Sequence, residues 1–457
     1  MYDILLKNVT NTHEYEELIK IFLRPGEYRI SSEDDGSSHD FIFNGNDDKN
    51  ITKEDIYDTL SRLTGMKPPW GIVTGIRPVK MTGEIMESLG SFEKTRERLT
   101  GYYRINEEKA DKAIMMYDYQ QRTAGKPPQD SASIYIGIPF CPTRCLYCSF
   151  ASNQKDMDEI RRYLDALHKE IDFVGAAMRR EGLHAETLYI GGGTPTTPET
   201  ADLNRLLVHA AEEFAGPDLK EFTLEAGRPD TITEEKMACA LEAGVDRISI
   251  NPQTMKDATL ELIGRQHDSK EVRKAFAVAR KAGIPVVNAD VIAGLPGETV
   301  FDFAETLKEL MALGPENITV HTLAVKRASR LAGIDKDYHY RMADTVAEML
   351  DHAGQEMYEA GYTPYYLYRQ KHMAGAQENT GYARPGTECI YNVRIMDEHQ
   401  TVIAMGAGGI SKVYYADENR LERVPNVSNY EIYIERLDEM IERKRQNIFT
   451  CKEGSTC

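Results

Sequence analysis

The sequence predicts an α/β protein whose central part is an incomplete (βα)6 TIM-like barrel. Between residues 133 and 325, short β-rich runs alternate with segments of helical periodicity, a pattern typical of parallel strands joined by helices. Two of the helical segments end in Ala-Gly, at 243–244 and 282–283, which is a helix C-cap signal that leads into the next strand. In barrels of this kind, chemistry lies where strands end and loops begin. We therefore expect functional residues at the carboxyl ends of these strands.

Each predicted strand is followed by a segment long enough to cross back over a parallel sheet. The predicted strands are 133–138, 186–190, 221–225, 246–250, 286–292 and 318–323. The predicted helices between them are 156–181, 199–214, 233–243, 268–282 and 299–313.

The 457 residues suffice for more than one domain, and the pattern divides them into three regions. These are an N-terminal α+β accessory domain (1–130), the barrel core (131–330) and a C-terminal α+β cap (331–457). In the accessory domain we predict strands at 3–8, 27–31 and 40–44, helices near 53–64 and 106–123, and a linker at 124–131. In the cap we predict a helix at 338–360, a tyrosine-rich strand at 362–368, antiparallel strands over 390–424 and a helix at 428–446. We expect the cap to close one side of the open barrel.

Composition excludes several broad classes of function. The net charge of −18 argues against general nucleic-acid binding, because neutralising phosphates requires a basic surface. The longest apolar stretches, such as 284–295, are too short to span a membrane, and the first residues lack the apolar region of a signal peptide. Seven cysteines, an odd number, favour a reduced compartment. We expect a cytoplasmic protein without a membrane span.

The first predicted strand runs into three closely spaced cysteines, Cys141, Cys145 and Cys148. A structural zinc site usually takes four protein ligands, so this loop would have to borrow a distant fourth one. A [4Fe–4S] cluster held by three thiolates instead keeps one iron open to a small molecule. The CxxxCxxC spacing, with Tyr147 before the third cysteine, resembles the radical S-adenosyl-L-methionine (SAM) superfamily. This resemblance implies a [4Fe–4S] cluster whose open iron chelates SAM.

Further motifs follow the later strands. Gly191-Gly-Gly-Thr-Pro195 ends the second strand, where glycines let backbone N–H groups approach a ligand. Glu225 ends the third strand and can accept hydrogen bonds from hydroxyl groups. The other motifs are Arg-Ile-Ser-Ile-Asn-Pro-Gln (247–253), Gly-Arg-Gln-His (264–267), Asp-Val-Ile-Ala-Gly-Leu-Pro-Gly (290–297) and Gly-Ala-Gly-Gly (406–409). Each one alone is also compatible with a capping or structural role.

Taken in order, residues 133 to 412 resemble the oxygen-independent coproporphyrinogen III oxidase (dehydrogenase) family. The front segment Gly-Ile-Arg-Pro-Val-Lys (75–80) and Gln-Glu-Asn-Thr-Gly-Tyr (377–382) look most like its HemZ-type branch. The resemblance implies that Tyr135, Gly192, Gly193, Thr194 and Glu225 touch the cluster-bound SAM, with Tyr147 packing beside it. It also implies a second SAM position lined by Gln253, Arg265, Asp290 and Ala324. No catalytic side chain is assigned beyond these.

The implied reaction is oxidative decarboxylation of coproporphyrinogen III propionates to vinyl groups, giving protoporphyrinogen IX without oxygen. It implies an external low-potential electron donor of the flavodoxin or ferredoxin type. Buried propionates need cationic partners. The sequence offers Arg144, Arg77, Lys80 and Arg228 for this role.

Phe150 is a departure from the pattern, because decarboxylating members of the family carry a further cysteine at this position. Two other functions therefore stay open: a heme or porphyrin carrier similar to the heme chaperones of the superfamily, and a radical SAM methyltransferase that opens heme. A carrier needs an axial ligand, for which His321, His339, His352 and His372 are candidates. Cys451 and Cys457 lie in a tail without a predicted role.

Overall fold

Two sheets organise the chain in a computed structural model, which describes residues 1–34, 36–75, 77–150 and 152–449. The strands are β1 (Tyr2–Lys7), β2 (Tyr28–Ser31), β3 (Phe41–Asn44), β4 (Ser131–Ile138), β5 (His184–Gly192), β6 (Glu221–Glu225), β7 (Arg247–Ser249), β8 (Val286–Ala293), β9 (Asn317–Thr322), β10 (Thr363–Tyr368), β11 (Asn379–Ala383), β12 (Thr401–Met405), β13 (Ile410–Tyr415) and β14 (Arg420–Pro425).

The helices connect the strands or pack beside them. They are α1 (His13–Phe22), α2 (Lys49–Thr64), α3 (Pro78–Leu89), α4 (Phe92–Glu97), α5 (Glu107–Thr123), α6 (Met157–Glu181), α7 (Thr200–Phe214), α8 (Glu234–Glu242), α9 (Asp257–Leu262), α10 (Ser269–Ala282), α11 (Val300–Ala312), α12 (Arg330–Ile334), α13 (Tyr338–Arg341), α14 (Ala343–Glu359), α15 (Ile390–Asp397), α16 (Tyr430–Glu435) and α17 (Leu437–Asn447). A π-helical turn covers Arg98–Tyr102, and 3-10 turns cover Pro229–Thr231, Ala374–Ala376 and Ala416–Glu418.

Strands β4 to β9 lie side by side in chain order, and each is parallel to the next. Helices α6, α7, α8, α10 and α11 connect them, so the predicted succession of βα units is confirmed. Over the described residues the ladder of strands stays open, with β10 at one end and β14 at the other. The predicted incomplete barrel is therefore confirmed.

The helices of the barrel follow from their sequence pattern. Helix α6 begins where the Asp156 side chain accepts a hydrogen bond from the backbone N–H of Glu159, and it ends at Gly182, whose φ of 67° is left-handed. Its buried residues recur every three or four positions, as an amphipathic helix on a sheet requires. They include Ile160, Leu164, Leu167, Ile171, Val174 and Met178.

The C-terminal region contributes strands to both ends of the barrel sheet. Strand β11 pairs antiparallel with β9, and β12 pairs parallel with β4. The predicted cap thus continues the sheet of the core at both edges. The division of the chain at 130 and 330 stays a prediction.

Part of the tail differs from expectation. Residues 390–397, predicted within a run of antiparallel strands, form helix α15 instead. Its first turn is held by Glu221 of β6, whose carboxylate accepts hydrogen bonds from the N–H groups of Ile390 and Tyr391, each at 2.8 Å. The predicted helices 338–360 and 428–446 are each interrupted, at Met342 and at Arg436.

The front region has its own three-stranded parallel sheet, ordered β2-β1-β3. The front region contacts the barrel region at Glu378, a buried residue just before β11. The carboxylate of Glu378 accepts hydrogen bonds from the Trp70 indole at 2.9 Å and from Lys109 at 2.7 Å. Across the described ranges, no helix combines the length and apolar character needed to cross a membrane. Cys451 and Cys457 lie outside the described residues.

Candidate functional site

The three-cysteine loop is fixed at both ends by backbone hydrogen bonds. Cys141 N–H donates to the carbonyl of Asn153 at 3.1 Å, and Leu146 N–H donates to the carbonyl of Ile263 at 2.8 Å. Phe140, immediately before the first cysteine, is fully buried and packs edge-on against Tyr163. These contacts fix the conformation of the loop after strand β4.

The thiols lie in an environment that disfavours bare thiolates. Burial raises the pKa of Cys141 to about 11, although a hydrogen bond from Thr194 opposes the rise. Burial also raises the pKa of Cys148. Sulfur ligands become thiolates when a metal supplies the balancing charge. Among the described residues, these three are the only cysteines that line the adjoining cavity. This donor set fits a [4Fe–4S] cluster that keeps one iron without a protein ligand.

The glycine-rich end of β5 is packed against this loop. Gly193 N–H donates to the carbonyl of Ile138, and Thr194 N–H donates to that of Phe140, both at 2.7 Å. A Cβ atom on Gly193 would lie 2.6 Å from the Phe140 oxygen and 2.9 Å from Cys141 Sγ. Glycine is thus required here by close approach of two loops.

Glu225, at the end of β6, is a partly buried carboxyl with two hydrogen-bond donors. Tyr189 Oη donates to it at 2.5 Å, and Gly192 N–H donates at 3.1 Å. Burial raises the pKa of Glu225 to about 7, against the opposing effect of the Tyr189 hydrogen bond. This carboxyl changes charge near neutral pH.

The polar groups after β7 and β8 form a second set of contacts. Arg265 donates to the carbonyl of Asn251 at 2.7 Å and to Tyr147 Oη at 3.4 Å. Gln253 has a left-handed φ of 71°, and its buried side-chain oxygen has no hydrogen-bond partner within the described structure. An unpartnered buried acceptor in a cavity wall is suited to a ligand's donor group.

Asp290 lies on β8 beside His321 of β9. His321 Nε2 is 3.3 Å from its carboxylate, and Asn288 donates to it at 2.8 Å. Burial would raise the pKa of Asp290, but His321 and these hydrogen bonds outweigh it, so the pKa is lowered. Asp290 therefore carries a charge inside the protein.

All these groups line one cavity of about 440 Å³ at the carboxyl ends of the barrel strands. It includes every residue that the sequence indicated for the cluster and for SAM: Tyr135, Cys141, Cys145, Tyr147, Cys148, Gly192, Gly193, Thr194, Glu225, Gln253, Arg265, Asp290 and Ala324. Their convergence is confirmed, and the role of each one stays a prediction.

The proposed carboxylate partners divide into two groups. Arg228 lines the cavity, but it is paired with Asp230 at 2.9 Å. Arg144 is exposed and donates to the carbonyl of Ala328 at 2.7 Å. Arg77 and Lys80 are ion-paired with Glu398, at 3.0 Å and 3.6 Å, and do not line the cavity. The last two are therefore unsuited to bind a substrate in this cavity.

Sequence reasoning missed several residues that line the cavity. They are Tyr189, Tyr366, Tyr368, Asn392, Met396 and Lys326. Tyr189 lies opposite Tyr135 in the register of β5 and β4, and its ring stacks on Tyr391 at 4.4 Å between centroids. Alternation along β5 and β10 was a usable signal for the tyrosines, whereas Asn392 and Met396 are brought in by helix α15, which was not predicted.

The barrel, the three-cysteine loop and the glycine-rich strand end define a radical SAM protein. Residues 135–310 match the model of the radical SAM superfamily. The chain is also similar in fold to coproporphyrinogen III oxidase (HemN) from Escherichia coli, described as a radical SAM enzyme. The TM-score is 0.55, the identity is 24%, and the match covers 71% of this chain and 73% of that chain.

Two similar sequences come from Bacillus subtilis (strain 168). The oxygen-independent coproporphyrinogen-III oxidase-like protein HemZ is 39% identical, over 87% of this chain and 80% of the relative. Heme chaperone HemW is 31% identical, over 60% of this chain and 69% of the relative. The chain belongs to the radical SAM family of oxygen-independent coproporphyrinogen-III oxidase-like proteins, of the HemZ type. Its cofactors are a [4Fe–4S] cluster and SAM, as in that superfamily.

Proposed function

We propose that the protein oxidatively decarboxylates propionate side chains of coproporphyrinogen III to vinyl groups, giving protoporphyrinogen IX without oxygen. The observation that carries the proposal is that one cavity joins the three cysteines, the glycine-rich strand end and Glu225. The HemZ and HemN relatives support a porphyrin substrate. A low-potential donor of the flavodoxin or ferredoxin type would supply the electron that starts each turnover, and we expect the reaction to take place in the cytoplasm.

The proposed ligands are those that the family resemblance implies, and all of them line the cavity. Cys141, Cys145 and Cys148 would hold the cluster. Tyr135, Gly192, Gly193, Thr194 and Glu225 would contact SAM, with Tyr147 packing beside it, and Gln253, Arg265, Asp290 and Ala324 would line the second SAM position. Glu225 in its charged form can accept hydrogen bonds from two ribose hydroxyls.

When bound, the reduced cluster and SAM would supply a 5′-deoxyadenosyl radical able to take one hydrogen atom from the propionate carbon next to the macrocycle. Loss of CO₂ would then leave the vinyl group, with the remaining electron passing to an external one-electron acceptor that the reaction requires for each propionate. The cavity walls must hold the propionate and exclude water that would quench the radical. Tyr135 and Tyr189 provide such a wall on one side, and both rings stack on Tyr391.

Lys326 is the cation that we assign to a substrate carboxylate. It is half-buried at the cavity, and its Nζ donates to the backbone carbonyl of Lys371 at 3.2 Å. Within the described structure no carboxylate lies in ion-pair distance of it, in contrast to Arg228 with Asp230. Burial lowers the pKa of Lys326, and a bound carboxylate would offset that desolvation.

A heme or porphyrin carrier is the second candidate, favoured by Phe150. This side chain is 70% exposed and lines the cavity, at the position where the family resemblance implies a further cysteine for a decarboxylating member. The cavity offers one histidine among its described residues, His321, and both of its ring nitrogens have neighbours: Asp290 at 3.3 Å and Tyr368 at 3.4 Å. Neither ring nitrogen of His321 is therefore free to bind heme iron, which weighs against a carrier that holds heme through a histidine of this cavity.

The deciding experiment is anaerobic incubation of cluster-loaded protein with SAM, a reductant and coproporphyrinogen III, followed by mass spectrometry. The proposal requires vinyl products and CO₂ in step with SAM consumption. Stoichiometric heme binding with substrate-independent SAM cleavage would establish the carrier instead. A changed visible spectrum of added heme would indicate a heme-opening enzyme.

Two variants make the assay specific. Cys145→Ala should abolish product together with cluster iron. Lys326→Gln should raise the KM for the porphyrinogen while leaving iron and SAM cleavage unchanged. Lys371→Gln is the matched control, because Lys371 lies close by but is paired with Glu17 at 3.1 Å. Equal KM values in the two lysine variants would remove Lys326 from the substrate site.

A further inference from the structure

We propose that the protein has a second metal site, for a divalent transition-metal ion, between helices α6 and α7. Its ligands are Asp172 of α6 and His209 and Glu213 of α7. None of these residues lines the cavity at the carboxyl ends of the barrel strands. The proposal therefore stands apart from the function proposed above.

The three donor groups already lie close together. His209 and Glu213 are four positions apart on α7 and so share one face of the helix. One donor atom from each of the three residues lies within 4.8 Å of the other two. His209 Nε2 is 2.8 Å from Asp172 Oδ1. Ligand bonds of about 2.0–2.2 Å place donor atoms roughly 3–3.5 Å apart, so small side-chain movements would complete the site.

His168 orients the histidine ligand. Its Nδ1 lies 2.5 Å from His209 Nδ1, and only one of these two nitrogens can carry a proton. Without an ion, His209 Nε2–H donates to Asp172 at 2.8 Å. When an ion replaces that proton, a proton on His209 Nδ1 that is donated to His168 keeps the Nε2 lone pair directed at the ion, as metal-binding histidines donate their other ring N–H to an acceptor. His168 is 6% exposed, and its Nε2 has no hydrogen-bond partner within the described structure, so His209 is its polar contact.

A glycine in α6 gives independent support. Gly175 lies inside this 25-residue helix, where glycine is unfavourable compared with alanine. A Cβ atom at this position would lie 1.8 Å from Glu213 Oε2. Gly175 therefore lets α7 approach α6 closely and leaves room for the Glu213 carboxylate beside the surface of α6.

The site faces one competing cation, Arg179, which donates to Glu213 at 2.8 Å. The Arg179 side chain is 58% exposed and can turn into solvent when an ion binds. One imidazole and two carboxylates suit Zn²⁺ or another divalent ion of the first transition row, with water in the remaining position. The ion would link α6, which follows the three-cysteine loop, to α7, which follows the glycine-rich end of β5.

The test uses cluster-loaded, chelator-treated protein equilibrated anaerobically with zinc and then desalted. Elemental analysis gives zinc and iron per chain for the wild type, His209→Ala and Glu213→Gln. Asp165→Asn is the matched control, because Asp165 also joins α6 to α7 through Arg205, at 2.8 Å, but lies outside the ligand set. We expect one zinc ion in the wild type and in the control, its loss in both ligand variants, and unchanged iron in all four.

Thermal unfolding provides the second readout. Zinc should raise the Tm of the wild type and of Asp165→Asn but not that of Glu213→Gln. His168→Phe should weaken zinc binding by roughly 10- to 100-fold without removing a ligand. A wild type without bound zinc, or ligand variants that keep it, would overturn the proposal. If His209→Ala does not fold, the zinc content of Glu213→Gln alone tests the proposal.

Discussion

Tyr189 donates a 2.5 Å hydrogen bond to Glu225 in the cavity at the carboxyl ends of the barrel strands, and both side chains are partly buried. The bond favours the charged carboxylate, whereas burial raises its pKa to about 7. The Tyr189 hydroxyl therefore affects the charge of Glu225, the residue that we propose to bind the ribose of SAM.

The first prediction concerns pH. If the charged form of Glu225 binds the ribose, SAM affinity should rise as the pH rises through about 7. In Tyr189→Phe the pKa of Glu225 should be higher, because a hydrogen bond to a charged group is worth about 1.5–3 kcal/mol. The midpoint should move upward by about one pH unit or more. Equilibrium dialysis of SAM at several pH values measures it. Tyr366→Phe, another tyrosine of the cavity, should leave the midpoint in place, and identical midpoints in all three proteins would exclude the link.

The second prediction concerns Gly193. An alanine here would press on the Phe140 carbonyl and on Cys141 Sγ. Such overpacking costs about 1–3 kcal/mol or displaces the cysteine, so Gly193→Ala should assemble less cluster. Iron content and visible absorbance after reconstitution provide the measurement. In Gly216→Ala, where nothing lies within 4 Å of the new Cβ, the cluster should form normally. Full iron loading of Gly193→Ala would show that the two loops can separate.

The third prediction concerns Asp290. Asp290→Asn removes the charge beside His321, and the lost charge-assisted bond of about 1.5–3 kcal/mol should weaken the second SAM position roughly ten- to hundredfold. Cluster iron should not change. Dialysis with labelled SAM would show one class of sites lost and the other kept. Asp246→Asn serves as the control. Asp246 directly precedes β7, and its carboxylate accepts a hydrogen bond from Phe222 N–H.

The fourth prediction concerns stability. The carboxylate of Glu378 is held by Lys109, Lys112 and Trp70, and the two lysines lower its pKa although burial acts in the opposite direction. Glu378→Gln leaves two buried cations without a counter-charge, which should cost about 3–5 kcal/mol of unfolding free energy at neutral pH. Fluorescence of Trp70, the one tryptophan of the chain, follows unfolding in urea.

Because the folded-state pKa of Glu378 is below its unfolded value, the ion pairs stabilise the protein above the normal glutamate range. The difference between variant and wild type should shrink as the pH falls below about 4.3. Glu93→Gln, an exposed residue of α4, should unfold like the wild type. A stability loss that did not depend on pH would point to packing instead of charge.

The barrel was predictable because each βα unit is encoded locally. Alternating apolar runs, Ala-Gly helix ends and side-chain N-caps lie within the unit that they delimit, as Asp156 does for α6. The cluster cysteines were predictable from their own spacing after β4, whereas the SAM residues were indicated only by the resemblance of the ordered motifs to a known family.

Helix α15 was not predictable, because its first turn is capped by Glu221, which lies far away in the sequence. Residues 390–397 carry no local N-cap side chain, and Cys389 supplies none. The same cause hid Asn392 and Met396 of the cavity. Lys326 was missed because the sequence does not show which of the other cations are already ion-paired with carboxylates of the protein.

Strand β4 begins the barrel, yet one of its neighbours, β12, lies far along the chain, where Thr401 pairs with Ala132. During synthesis, β12 and everything before it must leave the ribosome before this first strand gains its second partner. Contacts so distant in sequence form slowly. An iron–sulfur carrier that reaches the cysteines early would therefore meet a nascent chain with an unpaired edge, and a stop codon anywhere before residue 401 would leave that edge open to aggregation.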